Sequence, residues 1–250
     1  MDEREVLKRY FGYDAFRPGQ GEVVRALLEG RDALCVMPTG AGKSLCYQVP
    51  ALLLSGVTLV VSPLISLMKD QVAALNQVGV RAAYLNSSLT PRQFALALEN
   101  ARQGLYRVIY VAPERLETPA FQDLCREIAV PLVAVDEAHC VSQWGQDFRP
   151  SYLRIRDFVE SLPARPVLGA FTATATPEVR DDIRDLLGLQ DPFCVATGFD
   201  RPNLRFAVEN VPQREKTNAL LRLLREQKGR SGIVYCLARR TVEEVCDFLR

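Results

Sequence analysis

The octapeptide MPTGAGKS fills residues 37–44, between an apolar run, ALCVM at 33–37, and an uncharged stretch, KSLCYQVPALLL at 43–54. The run reads as a short buried strand and the stretch as a helix. Glycines between them leave backbone N–H groups free to point inward and wrap a phosphate, and the N-terminal end of the helix adds partial positive charge. In such a turn Thr39, Gly40 and Gly42 form the cradle, Lys43 reaches the β/γ-phosphates and the Ser44 hydroxyl holds Mg²⁺. The strict pattern begins with Gly where Met37 stands, so the reading rests on the strand-loop-helix setting as much as on the letters. A glycine-containing turn with an incidental lysine is the plainer alternative.

The chain has 250 residues, enough for one full domain and part of a second at about 100–200 residues each. Hydrophobic content of 48% and charged content of 24% are ordinary for a globular protein. A net charge of +1 gives no bulk attraction for nucleic acid, so any such binding must come from a local patch. The seven cysteines include no C-x-x-C pair and lie mostly in apolar surroundings, which favours free thiols in the reducing interior of a cell over a zinc site or disulfides. The charged N-terminus, MDEREVLKRY, is not a secretory signal. Residues 44–68 carry no charge, a length that could suggest a membrane span. Pro50, Gly56 and Pro63 interrupt that run and residues 57–61 are strand-like, so a helix followed by a buried parallel strand is expected, with no membrane association.

Further strands are expected at 81–85, 107–111, 132–135 and 166–171, with helices between them. Thr90 with Pro91 and Thr176 with Pro177 read as helix starts, and Gly188 as a helix end. This alternation predicts an α/β fold, a parallel sheet with helices on both faces. The texture shifts at GFDRPNLRFAVENVP, and we place a domain boundary near residues 200–202, giving domains at 1–200 and 201–250. The second is expected to hold strands at 204–208 and 232–236, too few to bury a parallel sheet, and is therefore read as part of something longer.

After the apolar strand LVAV come Asp136, Glu137, Ala138 and His139. A carboxylate at the C-terminal end of a buried parallel strand stands where ligands bind in open sheets. Asp136 is placed to hold Mg²⁺ and Glu137 to polarise an attacking water as general base. A solvated acidic turn is the alternative.

With these segments in hand, the chain resembles the catalytic core of RecQ-type DNA helicases, within helicase superfamily 2. The resemblance is carried by FGYDAFRPGQ, MPTGAGKS, VVSPLISLMKDQV, YLNSS, YVAPERL, DEAHC, SQWGQDFRP, FTATATP and GIVYC. It implies a RecA-like (P-loop NTPase) first domain and the start of a second. It also implies that Tyr13 and Arg17 sandwich an adenine whose edge Gln20 reads, so that the cofactors are ATP and Mg²⁺, with no zinc in this piece. SQWGQDFR would sense single-stranded DNA through Gln143, Trp144, Phe148 and Arg149. Trp144, the only tryptophan, sits in a polar stretch better suited to stacking on a base than to a core. The family commonly has His where Gln146 stands, so a titrating group is lacking there. Ser62, Asn86 and Arg115 would face the DNA backbone, and Thr172, Thr174 and His139 would couple the two sites.

The same resemblance implies 3′ to 5′ translocation, a role in repair and recombination, DNA duplex junctions as partners and, in a bacterium, the nucleoid as location. An arginine finger, typically worth about 10³–10⁵ in turnover, and C-terminal zinc and winged-helix modules would lie beyond Arg250. YCLARR departs from the family's small polar pair before Arg239. The expected product of this chain alone is nucleotide binding with slow hydrolysis and no unwinding. An ATP-gated nucleic-acid clamp or annealing module, and a metabolite kinase using the same loop, are the rival readings.

Overall fold

The computed structural model describes residues 1–198 and 204–249. Seven strands form one sheet: β1 (Ala33–Val36), β2 (Thr58–Val61), β3 (Ala82–Leu85), β4 (Val108–Val111), β5 (Leu132–Val135), β6 (Val167–Thr172) and β7 (Phe193–Ala196). Their order is β3-β4-β2-β5-β6-β1-β7, and every pairing is parallel. Helices α1 (Glu3–Phe11) and α2 (Gln20–Leu28) precede β1, and the crossovers that parallel neighbours need are supplied by α3 (Lys43–Leu53), α4 (Ile65–Gln77), α5 (Pro91–Arg102), α6 (Pro119–Glu127), α7 (Arg154–Glu160) and α8 (Pro177–Leu187).

Alternate strand residues face opposite ways, and here both faces are covered. Leu59, Val61, Val133 and Val135 join Leu98, Phe121, Phe158 and Ile183 in one layer. Val60, Ala134 and Phe171 join Leu27, Tyr47 and Met68 in the other. A smaller cluster of Val6, Leu7, Val24 and Val49 seats α1 on α2 and α3. The uncharged stretch at 44–68 becomes α3 and β2, and among the described residues no helix is long and apolar enough to cross a membrane.

Caps follow the expected chemistry. The Thr90 hydroxyl accepts from the Gln93 N–H while the Gln93 side chain accepts from the Thr90 N–H, a reciprocal cap on α5. Thr176 accepts from the Val179 N–H, and Gly188 ends α8 in the left-handed region.

Two expectations about strands are corrected. Residues 193–196 form β7, which the sequence reading passed over because this edge strand is short and only alternate residues are half-buried. Residues 204–208 and 232–236, expected as strands, form none. A strand exists through its neighbour's hydrogen bonds, and these segments have none among the described residues.

The chain divides into two compact units, Met1–Phe199 and Asp200–Arg250. The expected boundary at residues 200–202 lies outside the described residues. Within the second unit, α9 (Lys216–Glu226) and α10 (Arg239–Leu249) are formed.

Candidate functional site

Register fixes what meets at the carboxyl edge of the sheet. The Met37 N–H donates to the Thr172 carbonyl (3.0 Å), the Asp136 N–H to the Val61 carbonyl (2.8 Å), and the Ser62 N–H to the Val111 carbonyl (3.1 Å). The loops after β1, β2, β4, β5 and β6 therefore leave the sheet side by side, with β6 alone between the glycine loop and Asp136.

The loop itself is tightly bound to α2. Gln20, 2% exposed, donates from Nε2 to the carbonyls of Ala41 (2.9 Å) and Gly42 (3.1 Å), and its Oε1 accepts from the Arg17 N–H (2.9 Å). Arg17 Nη1 donates to the Gly40 carbonyl (2.6 Å), and Lys43 Nζ to the Met37 carbonyl (3.1 Å). Position 42 favours glycine because its φ is +83°, and a Cβ there would stand 2.6 Å from Gln20 Nε2, so that the amide would have to shift from its place on the loop. Thr39 and Gly40 lie on the exposed side of the turn, and Ser44 opens α3. Tyr13, 50% exposed, lines a cleft of ≈ 300 Å³ with Phe11, Gly42, Ser44 and Gln48.

Asp136 is 7% exposed, and its Oδ1 accepts from the Glu137 N–H (3.0 Å). Among the described residues it has no cation within ion-pair distance. Burial first, then the neighbouring Glu137 charge, pushes its carboxyl up to about 6, against the pull of Lys43 and of the Glu137 N–H. A buried carboxylate without a cation, within the field of Lys43 and one strand from the loop that ends at Ser44, is an oxygen donor that suits Mg²⁺. Its backbone is held by Tyr152, whose hydroxyl donates to the Asp136 carbonyl (2.9 Å). Sequence reasoning missed Tyr152, since nothing near it in the chain marks an aromatic as a strut.

Glu137 takes a left-handed conformation (φ 47°), rare for a residue with a side chain. The turn brings Glu137 Oε2 to 3.3 Å from His139 Nδ1, which is also 2.8 Å from Thr172 Oγ1. The Thr172 hydroxyl gives its hydrogen to the Thr174 carbonyl (3.1 Å), so Nδ1 of His139 carries the proton and donates to Thr172. Hydrogen bonds thus run from His139 through Thr172 to Thr174, with the Glu137 carboxylate against the same ring nitrogen. The Thr174 end opens on a cleft of ≈ 310 Å³ lined by His139, Trp144, Gly145, Gln146, Thr174 and Val179.

Trp144 is 81% exposed at the mouth of that cleft. Gln143 is exposed beside it and Phe148 half-buried. Arg149 closes a fork on Asp147 (2.7 and 3.0 Å) and donates to the Pro63 carbonyl (3.2 Å), tying this loop to the one after β2. Ser62 and Asn86 reach the same edge with buried side chains, 1% and 0% exposed. Asn86 accepts from the Ser88 N–H and hydroxyl, while its carbonyl accepts from Arg115 Nη2 (3.2 Å). The Arg115 guanidinium lies 5.1 Å from the centre of the Phe94 ring. Ser62 and Asn86 shape the edge more than they project from it, while Arg115 is half-buried there.

The parallel sheet, the glycine loop after β1 and the acidic pair after β5, one strand apart, define a RecA-like α/β fold. Residues 17–183 match the family model of the DEAD/DEAH box helicases, and the chain belongs to that family. It is 46% identical over 248 residues to the ATP-dependent DNA helicase RecQ of Bacillus subtilis (strain 168), covering 99% of this chain and 42% of that protein. It is likewise 46% identical over 246 residues to the RecQ of Pasteurella multocida (strain Pm70), covering 98% of this chain and 38% of that one. The chain thus spans about two fifths of the length of these relatives. The fold is also that of the Mycobacterium smegmatis helicase Lhr bound to ssDNA and AMP-PNP (TM-score 0.67, 22% identity, 98% of this chain and 35% of that one).

Proposed function

We propose that this chain is the nucleotide-binding motor part of an ATP-dependent DNA helicase of RecQ type, which couples ATP hydrolysis to 3′–5′ movement on single-stranded DNA in repair and recombination. The observation that carries the reading is the juxtaposition at one sheet edge of the glycine loop, the buried Asp136 and the hydrogen bonds from His139 to Thr174, which end at the cleft that Trp144 lines.

In this reading Lys43 exchanges the Met37 carbonyl for the β/γ-phosphate oxygens. Ser44 and ionised Asp136 would hold Mg²⁺, a bound cation that would supply charge neutralisation at the phosphates. Glu137 takes a proton from the attacking water. The base lies between Tyr13 and Arg17. Both Nε2 hydrogens of Gln20 are committed to the loop, so its Oε1 is the group left to accept from the adenine amino group. Occupation of the base site thereby bears on the loop through one side chain.

Trp144 stacks on a base, a contact worth about 1–3 kcal/mol, and reports through Thr174, Thr172 and His139 to Glu137. Arg115 and Arg149 lie beside the strand's phosphates, contacts that position without reading sequence. A DNA-acting enzyme of this kind works inside the cell, on the nucleoid in a bacterium. The second unit forms no paired strand among its described residues, so this chain is expected to bind ATP, hydrolyse it slowly and leave duplex intact. Oligo-dT titration followed by the fluorescence of the single tryptophan tests the reading. Stacking is expected to quench Trp144, with an affinity that falls as salt rises. A Trp144 signal indifferent to DNA would contradict it.

A further inference from the structure

Trp144 is 81% exposed, so packing does not hold it in place. Its position comes from the backbone, and the backbone hangs on Ser142, whose side chain is fully buried. Ser142 Oγ accepts from the Trp144 N–H (3.1 Å), and the Ser142 carbonyl accepts from the Gly145 N–H (3.0 Å). The reversal is tight: a Cβ at Gly145 would run into the His139 carbonyl. A serine hydroxyl has a single hydrogen, and Ser142 gives it to Asp182 Oδ2 at 2.6 Å. That bond orients the lone pair that receives the Trp144 N–H. Asp182 lies on α8, where its neighbours Val179 and Ile183 are buried in the core. The carboxylate is therefore a fixed point.

We propose that Asp182 is the positioning residue of the tryptophan loop, setting through Ser142 the place from which Trp144 meets DNA. The functional half of this statement rests on the proposed role of Trp144. The anchoring half does not. Charge alone argues the other way, because removing a carboxylate should strengthen binding to a polyanion. Weaker binding after its removal therefore reports geometry.

The test follows the time-resolved anisotropy of the single tryptophan together with oligo-dT affinity, in the 250-residue chain. Asp182→Ala is expected to enlarge the fast anisotropy component and to weaken oligo-dT binding by about tenfold, the scale of one charge-assisted hydrogen bond. Asp182→Asn keeps an acceptor for the Ser142 hydroxyl and should restore slow tryptophan motion. Ser142→Ala should match Asp182→Ala, and the double variant should be no worse than either. If Asp182→Ala does not fold by circular dichroism, Ser142→Ala and Asp182→Asn carry the comparison. Slow tryptophan motion in both Asp182→Ala and Ser142→Ala, or effects of the two that add, would overturn the anchoring. A loosened Trp144 with unchanged oligo-dT affinity would support the anchoring and instead remove Trp144 from the DNA contact.

Discussion

Asp136 ends a strand of four buried residues and is itself buried. Its carboxyl, raised from 3.8 to about 6, keeps a proton in the folded protein that the unfolded chain gives up. Between those two values stability falls as pH rises, and the loss persists at neutral pH, on the order of 2–3 kcal/mol. Asp136→Asn keeps the acceptor for the Glu137 N–H and removes that charge. In Mg²⁺-free buffer at pH 7.5 the variant is expected to melt several degrees higher, with the gap closing towards pH 4, while ATP hydrolysis is lost. Equal melting temperatures across that range would contradict the burial argument. At this scale the sequence put forward candidate residues without their partners. Lys43, Asp136 and Glu137 stand out because strand, turn and helix periods bracket them. That Gln20 spends its amide on two loop carbonyls could not be read, since nothing in residues 17–20 says which turn lies over them.

Elements are held by contacts at the edge away from the site as well. Asp32, just before β1, accepts from Arg165 (2.6 and 3.1 Å), the Leu168 N–H (2.8 Å) and the Gln190 N–H (2.7 Å), and so gathers the amino ends of β1, β6 and β7. Asp32→Ala leaves two backbone donors and a half-buried guanidinium without their acceptor. It is expected to cost about 3 kcal/mol in urea unfolding while nucleotide affinity per folded molecule stays unchanged. A loss of nucleotide affinity at full folding would mean the two edges are coupled. Most elements were legible because apolar runs of four to six residues bounded by turn residues leave little choice within a parallel sheet. β7 was not, because at an edge only alternate residues need burial and FCVA offers a weak period. The clasp was not either, as Asp32 and Arg165 are joined only by the fold.

At the scale of the whole molecule, the first unit closes its own core on both faces of the sheet. The second leaves Phe206 (87%), Val208 (96%) and Tyr235 (89%) open to solvent. Its two expected strands failed for that reason: the apolar pattern was present, but pairing partners were not. A chain ending at residue 198 is expected to keep the melting temperature and nucleotide affinity of the longer one, with lower fluorescence of a dye that binds apolar surface. A collapse of stability on truncation would assign the second unit a structural role. All steps of the proposed function depend on a triphosphate lying in the turn at residues 37–44 with a metal at Asp136. Calorimetric titration of Mg²⁺·AMP-PNP into the chain and into Lys43→Ala, both confirmed folded, tests this most directly. Affinity should fall by about ten- to a hundredfold in the variant, the worth of one charged hydrogen-bond donor; an unchanged affinity would contradict the account.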